Sequence, residues 1–271
     1  MRSVDEAVIL VTGSTDGLGE ATARDLAAAG ATVLLHGRGQ ERGDAAVREI
    51  REETGNDRLR YYLADFSSLE EVHRLADEVM ADHDRLDVLV NNAGVGAGRR
   101  GETSRDLRRD GYELRLAVNY LAPFLLTRLL LPLVQRSTPS RIVNVASAGQ
   151  SPISFDDVML ERGYDGMRAY AQSKLALIMF AFDLAEELED TSVTANSLHP
   201  ASLMATKMVF ETSAARRAAC GRVPTRRFAW PSLPSWRGSP AGTSTGNARL
   251  APTSRPTTRK PAPACGDSRR S

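Results

Sequence analysis

Soft metal ligands are scarce in this 271-residue chain, which has two cysteines and four histidines. Cys220 and Cys265 cannot form a metal site by themselves, and His36, His73, His83 and His199 have no partner at ligand spacing. No metal centre is expected. Long hydrophobic runs are missing too. The most apolar stretch, residues 121–134, is interrupted by Pro123, Arg128 and Pro132 and falls short of the roughly 20 residues that cross about 30 Å of hydrocarbon. It reads as a core or subunit-interface helix. Met1-Arg-Ser-Val-Asp leads straight into an apolar run with no leader-like segment, so a soluble cytoplasmic protein without a membrane partner is expected.

An excess of one charge is also absent, since 35 basic and 34 acidic residues leave a net +1. That balance conceals a break near Phe210. Residues 211–271 hold 12 basic and 2 acidic residues, against 23 and 32 before them. The same segment has 8 of the 13 prolines, both cysteines and both tryptophans, but only Val223, Leu233 and Leu250 among its valines, leucines and isoleucines. A segment so poor in aliphatic side chains cannot offset the entropy of ordering itself. The expected organisation is one α/β domain over 1–210, incomplete at its C-terminal end, and a disordered basic tail over 211–271. A basic tail could bind nucleic acid, but this one lacks repeats, aromatic interleaving and a clustered basic patch, so no nucleic-acid partner is expected.

The usual dinucleotide fingerprint G-x-G-x-x-G is a further absence. In its place Gly13-Ser-Thr-Asp-Gly17-Leu-Gly19 follows the apolar, β-branched run 7–12. An alanine- and leucine-rich helix over 20–29, stopped by Gly30, and a second strand over 32–35 complete a strand, glycine turn, helix and strand. In such a unit glycines let the backbone pass close to a phosphate, and the helix start attracts its charge.

Tyr170 and Lys174, in Tyr-Ala-Gln-Ser-Lys, lie four apart and so share one face of a helix. A free phenol titrates near pKa 10, and a fixed adjacent cation stabilises the phenolate. Such a pair can exchange a proton with an alcohol or carbonyl. By itself the spacing is more often a solvated helix face.

Taken together, these motifs resemble the short-chain dehydrogenase/reductase family, with its T-G-x-x-x-G-x-G turn and Y-x-x-x-K pair. Asn91-Asn-Ala-Gly94 after the strand 86–90, Asn119 in the helix after Gly111, Ser147 after the strand 141–146, and His199-Pro200 after the strand 192–198 follow the family's order, with Thr206 at the segment that closes over nicotinamide. The segment from Phe155 to Lys174 is most similar to the retinol-dehydrogenase-like branch. The resemblance implies a doubly wound parallel α/β sheet and a hydride transfer between a nicotinamide cofactor and a small-molecule alcohol or carbonyl. It assigns Tyr170 as general acid and base, Lys174 to the nicotinamide ribose, Ser147 to the substrate oxygen and Asn119 to a proton relay. For Ser147 a bond to local backbone, and for Asn119 a buried structural amide, are the alternatives. Cofactor contacts are implied for Gly13, Ser14, Thr15, Asp16, Gly17, Leu18, Gly19, Asn91, Ala93, Gly94, Tyr170, Lys174, Pro200 and Thr206. Ala201 departs from the family's usual glycine after the proline. Relatives commonly associate through the apolar helix and the Tyr170 helix, so a homo-oligomer is expected.

Cofactor preference turns on the end of the second strand, Leu35-His36-Gly37-Arg38, where no carboxylate is present to hydrogen-bond a ribose 2′-hydroxyl. Arg38 instead offers a fork of donors suited to a 2′-phosphate, so NADP(H) is favoured over NAD(H). Asp65 matches the family's adenine-contacting aspartate, and capping of the following helix is its alternative role. The composition break falls where the family still requires its last strand and helices, which points to a shift of reading frame. Read one base earlier from Arg227 onward, GC-rich codons permit a Gly-Arg-Tyr-Phe-Asp-Gly strand signal and a charged final helix. A nucleotide-binding regulator without turnover is the rival reading, and intact Ser147, Tyr170 and Lys174 argue against it.

Overall fold

A computed structural model describes residues 3–99 and 101–200. Ala201, Thr206 and the basic segment 211–271 lie outside the described residues.

The strands are short, and the central ones are rich in aliphatic residues and largely buried on both faces, as a parallel sheet covered by helices requires, while the two outer ones are more exposed. They are β1 (Val8–Val11), β2 (Thr32–Gly37), β3 (Leu59–Leu63), β4 (Val88–Asn91), β5 (Ser140–Val145) and β6 (Val193–Leu198). They form one parallel sheet in the order β3-β2-β1-β4-β5-β6. Alternation along each strand divides the apolar side chains between two cores. Leu10, Leu34, Leu89 and Ile142 face one side, with Leu75, Leu126 and Leu177. Ile9, Val11, Val33 and Leu35 face the other, with Ala23, Ala27 and Ile50.

The first core is roofed by α3 (Leu69–Asp82), α5 (Ala122–Arg136) and α6 (Gly166–Glu187), the second by α1 (Gly17–Ala28) and α2 (Gln40–Thr54). A short α4 (Leu114–Leu116) and a π turn (Ala117–Leu121) lead without a break into α5. The continuous helix Leu114–Arg136 has 23 residues and is apolar and long enough to cross a membrane, so the 121–134 reading was too short. In the domain its apolar side packs into the first core, where Ala122, Leu126, Leu130 and Leu133 are fully buried.

Topology decides where a ligand can enter. The chain runs outward from β1 to β3, then returns to place β4 against the other side of β1. That reversal opens a crevice beyond the carboxyl ends of β1 and β4. The turn after Val11 and the segment after Asn91 face it.

Candidate active site

Gly13 takes a left-handed φ of +64°, and a Cβ there would lie 2.8 Å from the Ala93 Cα. A Cβ on Gly19 would lie 2.2 Å from the Gly13 carbonyl oxygen. Only glycine lets the β1 turn, the start of α1 and the segment after β4 approach so closely. The approach is locked by a pair that sequence reasoning missed. Thr12 Oγ1 accepts the amides of Asn92 (2.9 Å) and Ala93 (3.0 Å), while Asn92 Nδ2 donates to the carbonyls of Thr12 (2.8 Å) and Gly13 (3.1 Å). The visible signal was a polar residue ending a buried strand run. Asp16 and Gly17 are exposed where α1 begins, and Thr15 and Leu18 are half-buried beside them. No side chain caps this helix start, so its first-turn amides are available to a phosphate.

Two expected cofactor residues turn their side chains elsewhere. Ser14 is fully buried, and its Oγ accepts the His36 amide at 2.9 Å. The Asn91 side chain lies in the core, where Nδ2 donates to Thr127 Oγ1 and Asn144 Oδ1, both at 2.9 Å. A glycine motif constrains backbone shape, and it does not specify which way the neighbouring side chains rotate.

On the adenosine side, Arg38 is exposed just past β2, with no acidic partner among the described residues. Tyr61 supports that segment by donating to the Gly39 carbonyl at 2.9 Å. The Asp65 carboxylate accepts the Ser67 amide at 2.9 Å, a bond within the turn before α3. The N-cap of α3 is Ser68, so Asp65 does not take the capping role that was its alternative.

The catalytic candidates converge from three elements. Asp165 caps α6 by accepting the Arg168 amide, which places Tyr170 and Lys174 on successive turns of a well-started helix. Lys174 is 4 % exposed, and its Nζ donates to the Val145 carbonyl at 2.9 Å. Burial pulls its pKa down to about 8. Asn119 sits in the π turn and is fully buried. Its Oδ1 accepts the Val95 amide (2.8 Å), and its Nδ2 donates to the Val95 carbonyl (3.1 Å) and Ser173 Oγ (3.0 Å). Pro123 has no hydrogen to give the Asn119 carbonyl, so an α-helical ladder cannot close there, and the Ala122 amide bonds Ala117 five residues back. Ser173, a residue the sequence reading passed over, in turn donates to the Tyr170 carbonyl at 2.7 Å. Asn119 thereby braces the backbone between Tyr170 and Lys174.

Gly94 closes the cluster, because a Cβ there would lie 3.2 Å from Asn119 Oδ1 and 3.4 Å from Lys174 Nζ. Ser147, half-buried beyond β5, accepts the Gly149 amide at 3.1 Å, which leaves its hydroxyl proton to donate. The Ala148 amide donates to His199 Nδ1 at 3.2 Å, tying the Ser147 loop to the end of β6, next to the partly buried Pro200. The Tyr170 side chain is half-buried, and its hydroxyl has no hydrogen-bond partner among the described residues. Among those residues no three His, Cys, Asp or Glu side chains gather as a metal site would require.

A cavity of about 400 Å³ lies on the other side of α6, lined by Tyr120, Phe155, Met159, Gln172, Ala176 and Met179. Gln172 and Ala176 are on the helix face opposite Tyr170, so this space does not serve the catalytic cluster. The segment after β4 and the segment before α6 are joined by a buried group that no motif singles out. Arg115 donates to the carbonyls of Gly96 and Ala97, to Glu113 Oε1 at 3.2 Å and to the Tyr164 hydroxyl at 2.5 Å, while the Tyr164 hydroxyl lies 2.7 Å from Glu113 Oε1.

Comparison with known proteins agrees with this geometry. The sequence profile of the short chain dehydrogenase family matches residues 7–217. The chain is 42% identical over 195 residues to Dehydrogenase/reductase SDR family member 13 of Homo sapiens, covering 70% of this chain and 50% of that protein. It is 40% identical over 195 residues to Retinol dehydrogenase 13 of Mus musculus, covering 71% of this chain and 57% of the relative. It thus spans about half the length of the curated relatives it matches. Among solved structures, a metagenomic short-chain oxidoreductase in complex with NADP is 34% identical with a TM-score of 0.60, over 72% of this chain and 82% of that one. The chain belongs to the short-chain dehydrogenase family.

Proposed function

We propose that this chain is an NADP(H)-dependent oxidoreductase that interconverts an alcohol and an aldehyde or ketone. The observation that carries the reading is Lys174, an amine buried one helical turn from Tyr170 and braced with it by Asn119 and Ser173. A buried lysine is costly, and its presence one helical turn from a phenol that has no hydrogen-bond partner among the described residues is what proton transfer needs. The relatives named as dehydrogenases and the neighbour in complex with NADP support the same reading.

The residues present fit a dinucleotide. The uncapped start of α1, with exposed Asp16 and Gly17, would meet the pyrophosphate. Arg38 would meet a 2′-phosphate, and Lys174 the nicotinamide ribose. When bound, the cofactor supplies or accepts the hydride. Ser147, whose hydroxyl proton is uncommitted, donates to the substrate oxygen and fixes its position. Tyr170 gives a proton to that oxygen in reduction and removes it in oxidation. Lys174, still largely cationic at neutral pH, stabilises the phenolate left behind. Association of two copies is supported by Met179 and Phe182, which α6 leaves exposed on its outer side.

The test is NADPH oxidation with a panel of carbonyls, retinaldehyde among them, comparing the unaltered chain with Tyr170→Phe. Turnover is expected to fall by at least a hundredfold in the variant while NADPH still binds. Binding without Tyr170-dependent turnover would favour a cofactor-sensing regulator. Parallel titrations with NADH test the cofactor preference.

A further inference from the structure

His36 is the last large side chain of β2, 3 % exposed, and every polar group it has is engaged. Its backbone amide donates to Ser14 Oγ at 2.9 Å, and its carbonyl accepts the Ser14 amide at 2.9 Å. On the ring, Nδ1 lies 3.1 Å from the Gly13 amide and Nε2 lies 3.0 Å from the Ala64 carbonyl. An amide can only donate and a carbonyl can only accept, so both contacts are made by one species, the neutral imidazole with its hydrogen on Nε2. The ring is stacked on Phe66, with centroids 4.2 Å apart and 24° between planes. Burial holds the imidazole pKa down to about 4, so that species prevails at neutral pH.

The two groups His36 joins belong to different segments of the same cradle. Gly13 opens the glycine turn, and Ala64 opens the turn that carries Asp65 and Phe66. Arg38 follows two residues after His36. Gly13 is thus held from both sides, its carbonyl by Asn92 from the β4 side and its amide by His36 from the β2 side. Its amide is spent on the imidazole, which leaves the start of α1 to meet the phosphate. A phenylalanine or leucine at position 36 could fill the space, but it would leave a buried donor and a buried acceptor without partners.

We propose that His36 is a positioning residue for the cofactor, a neutral imidazole that sets the separation of the glycine turn and the Ala64–Phe66 turn and thereby shapes the adenosine side of the NADP site. The proposal rests on the NADP reading above.

The experiment measures NADPH and 2′,5′-ADP dissociation constants by fluorescence and calorimetric titration, with thermal melts of the unliganded chain, for the unaltered protein and for His36→Phe, His36→Asn and His36→Gln. His36→Phe keeps the stack on Phe66 and loses both hydrogen bonds. It is expected to weaken both ligands at least tenfold and by the same factor, because the defect lies on the adenosine side. In His36→Asn the amide oxygen takes the place of Nδ1, and affinity is expected to return to within about threefold of the unaltered protein. His36→Gln can reach Ala64 but not Gly13, and should recover less. A merely structural histidine would lower the melting temperature without this ordering of affinities. His36→Phe binding within twofold of the unaltered chain, or affinities that track melting temperature alone, would overturn the proposal. If the unaltered chain bound neither ligand, the NADP reading itself would fail and this proposal with it.

Discussion

Lys174 shows how a single residue can set stability against function. Its pKa falls from an ordinary 10.5 to about 8 because burial disfavours the cation. The sign follows from counting protons. Below pH 8 the amine is charged in both folded and unfolded chains, and the folded state bears the full cost of about 3 kcal/mol. Between pH 8 and 10.5 only the unfolded chain keeps the proton, so the cost shrinks as pH rises and vanishes above 10.5. Lys174→Met should therefore stabilise the unliganded chain by about 2 kcal/mol at pH 7, with the gain fading across pH 8 to 10.5, and should abolish turnover. Denaturant melts at several pH values check this, and a gain that is absent or independent of pH would contradict it. The i, i+4 spacing made this pair visible in the sequence. His36 was not visible in the same way, because its ring partner Gly13 is 23 positions away and only the sheet brings them together. The Ser14 and Asn91 side chains were unreadable for a related reason, since rotamers answer to packing and motifs describe backbone.

At the scale of elements, the central strands β1, β2 and β4 were legible because burial on both faces writes an apolar run, whereas the outer β3 and β6 carry polar residues such as Arg60, Thr194 and Asn196. The apolar stretch 121–134 is shorter than the helix Leu114–Arg136 because Arg115 and Asn119 are polar residues inside the helix that meet buried partners rather than water. Arg115 joins the segment after β4 to the segment before α6 through Gly96, Ala97 and Tyr164. Glu113 is 2 % exposed and balances its charge, while Glu113 Oε2 caps Leu116 at 2.8 Å. Removing the arginine leaves a buried carboxylate without a counter-charge, which typically costs about 3–5 kcal/mol. Arg115→Met is expected to lose stability of that order. Adding Glu113→Gln, which keeps an acceptor for the Leu116 amide and removes the charge, should restore at least about 1 kcal/mol. Urea melts of the single and double variants measure the coupling, and strictly additive losses would show that the pair is not a unit.

For the whole molecule, the acidic residues 1–210 and the basic residues 211–271 read as two different chains. The family match stops at residue 217, shortly after the composition turns. Among the described residues β6 is the last strand, paired on one side with β5 and with no strand on the other. An edge that exposes a row of amides and carbonyls is a site for unwanted pairing. The shifted-frame reading supplies what such an edge lacks, a Gly-Arg-Tyr-Phe-Asp-Gly strand signal followed by a charged helix. One further strand and helix would bury enough apolar surface to matter against the roughly 5–15 kcal/mol that typically stabilises a domain. A chain translated one base earlier from codon 227 is therefore expected to melt at least about 5 °C higher than the present one, a shift of about 1–2 kcal/mol for a domain of this size. It should also remain monodisperse to higher concentrations than the present chain, and turn over carbonyls at least tenfold faster. NADPH affinity should change less than turnover, since the glycine turn, His36 and Arg38 all precede the break. Calorimetry, light scattering and NADPH oxidation on the two chains decide the matter. Equal melting temperatures and equal turnover would establish the basic segment as a genuine part of a working protein.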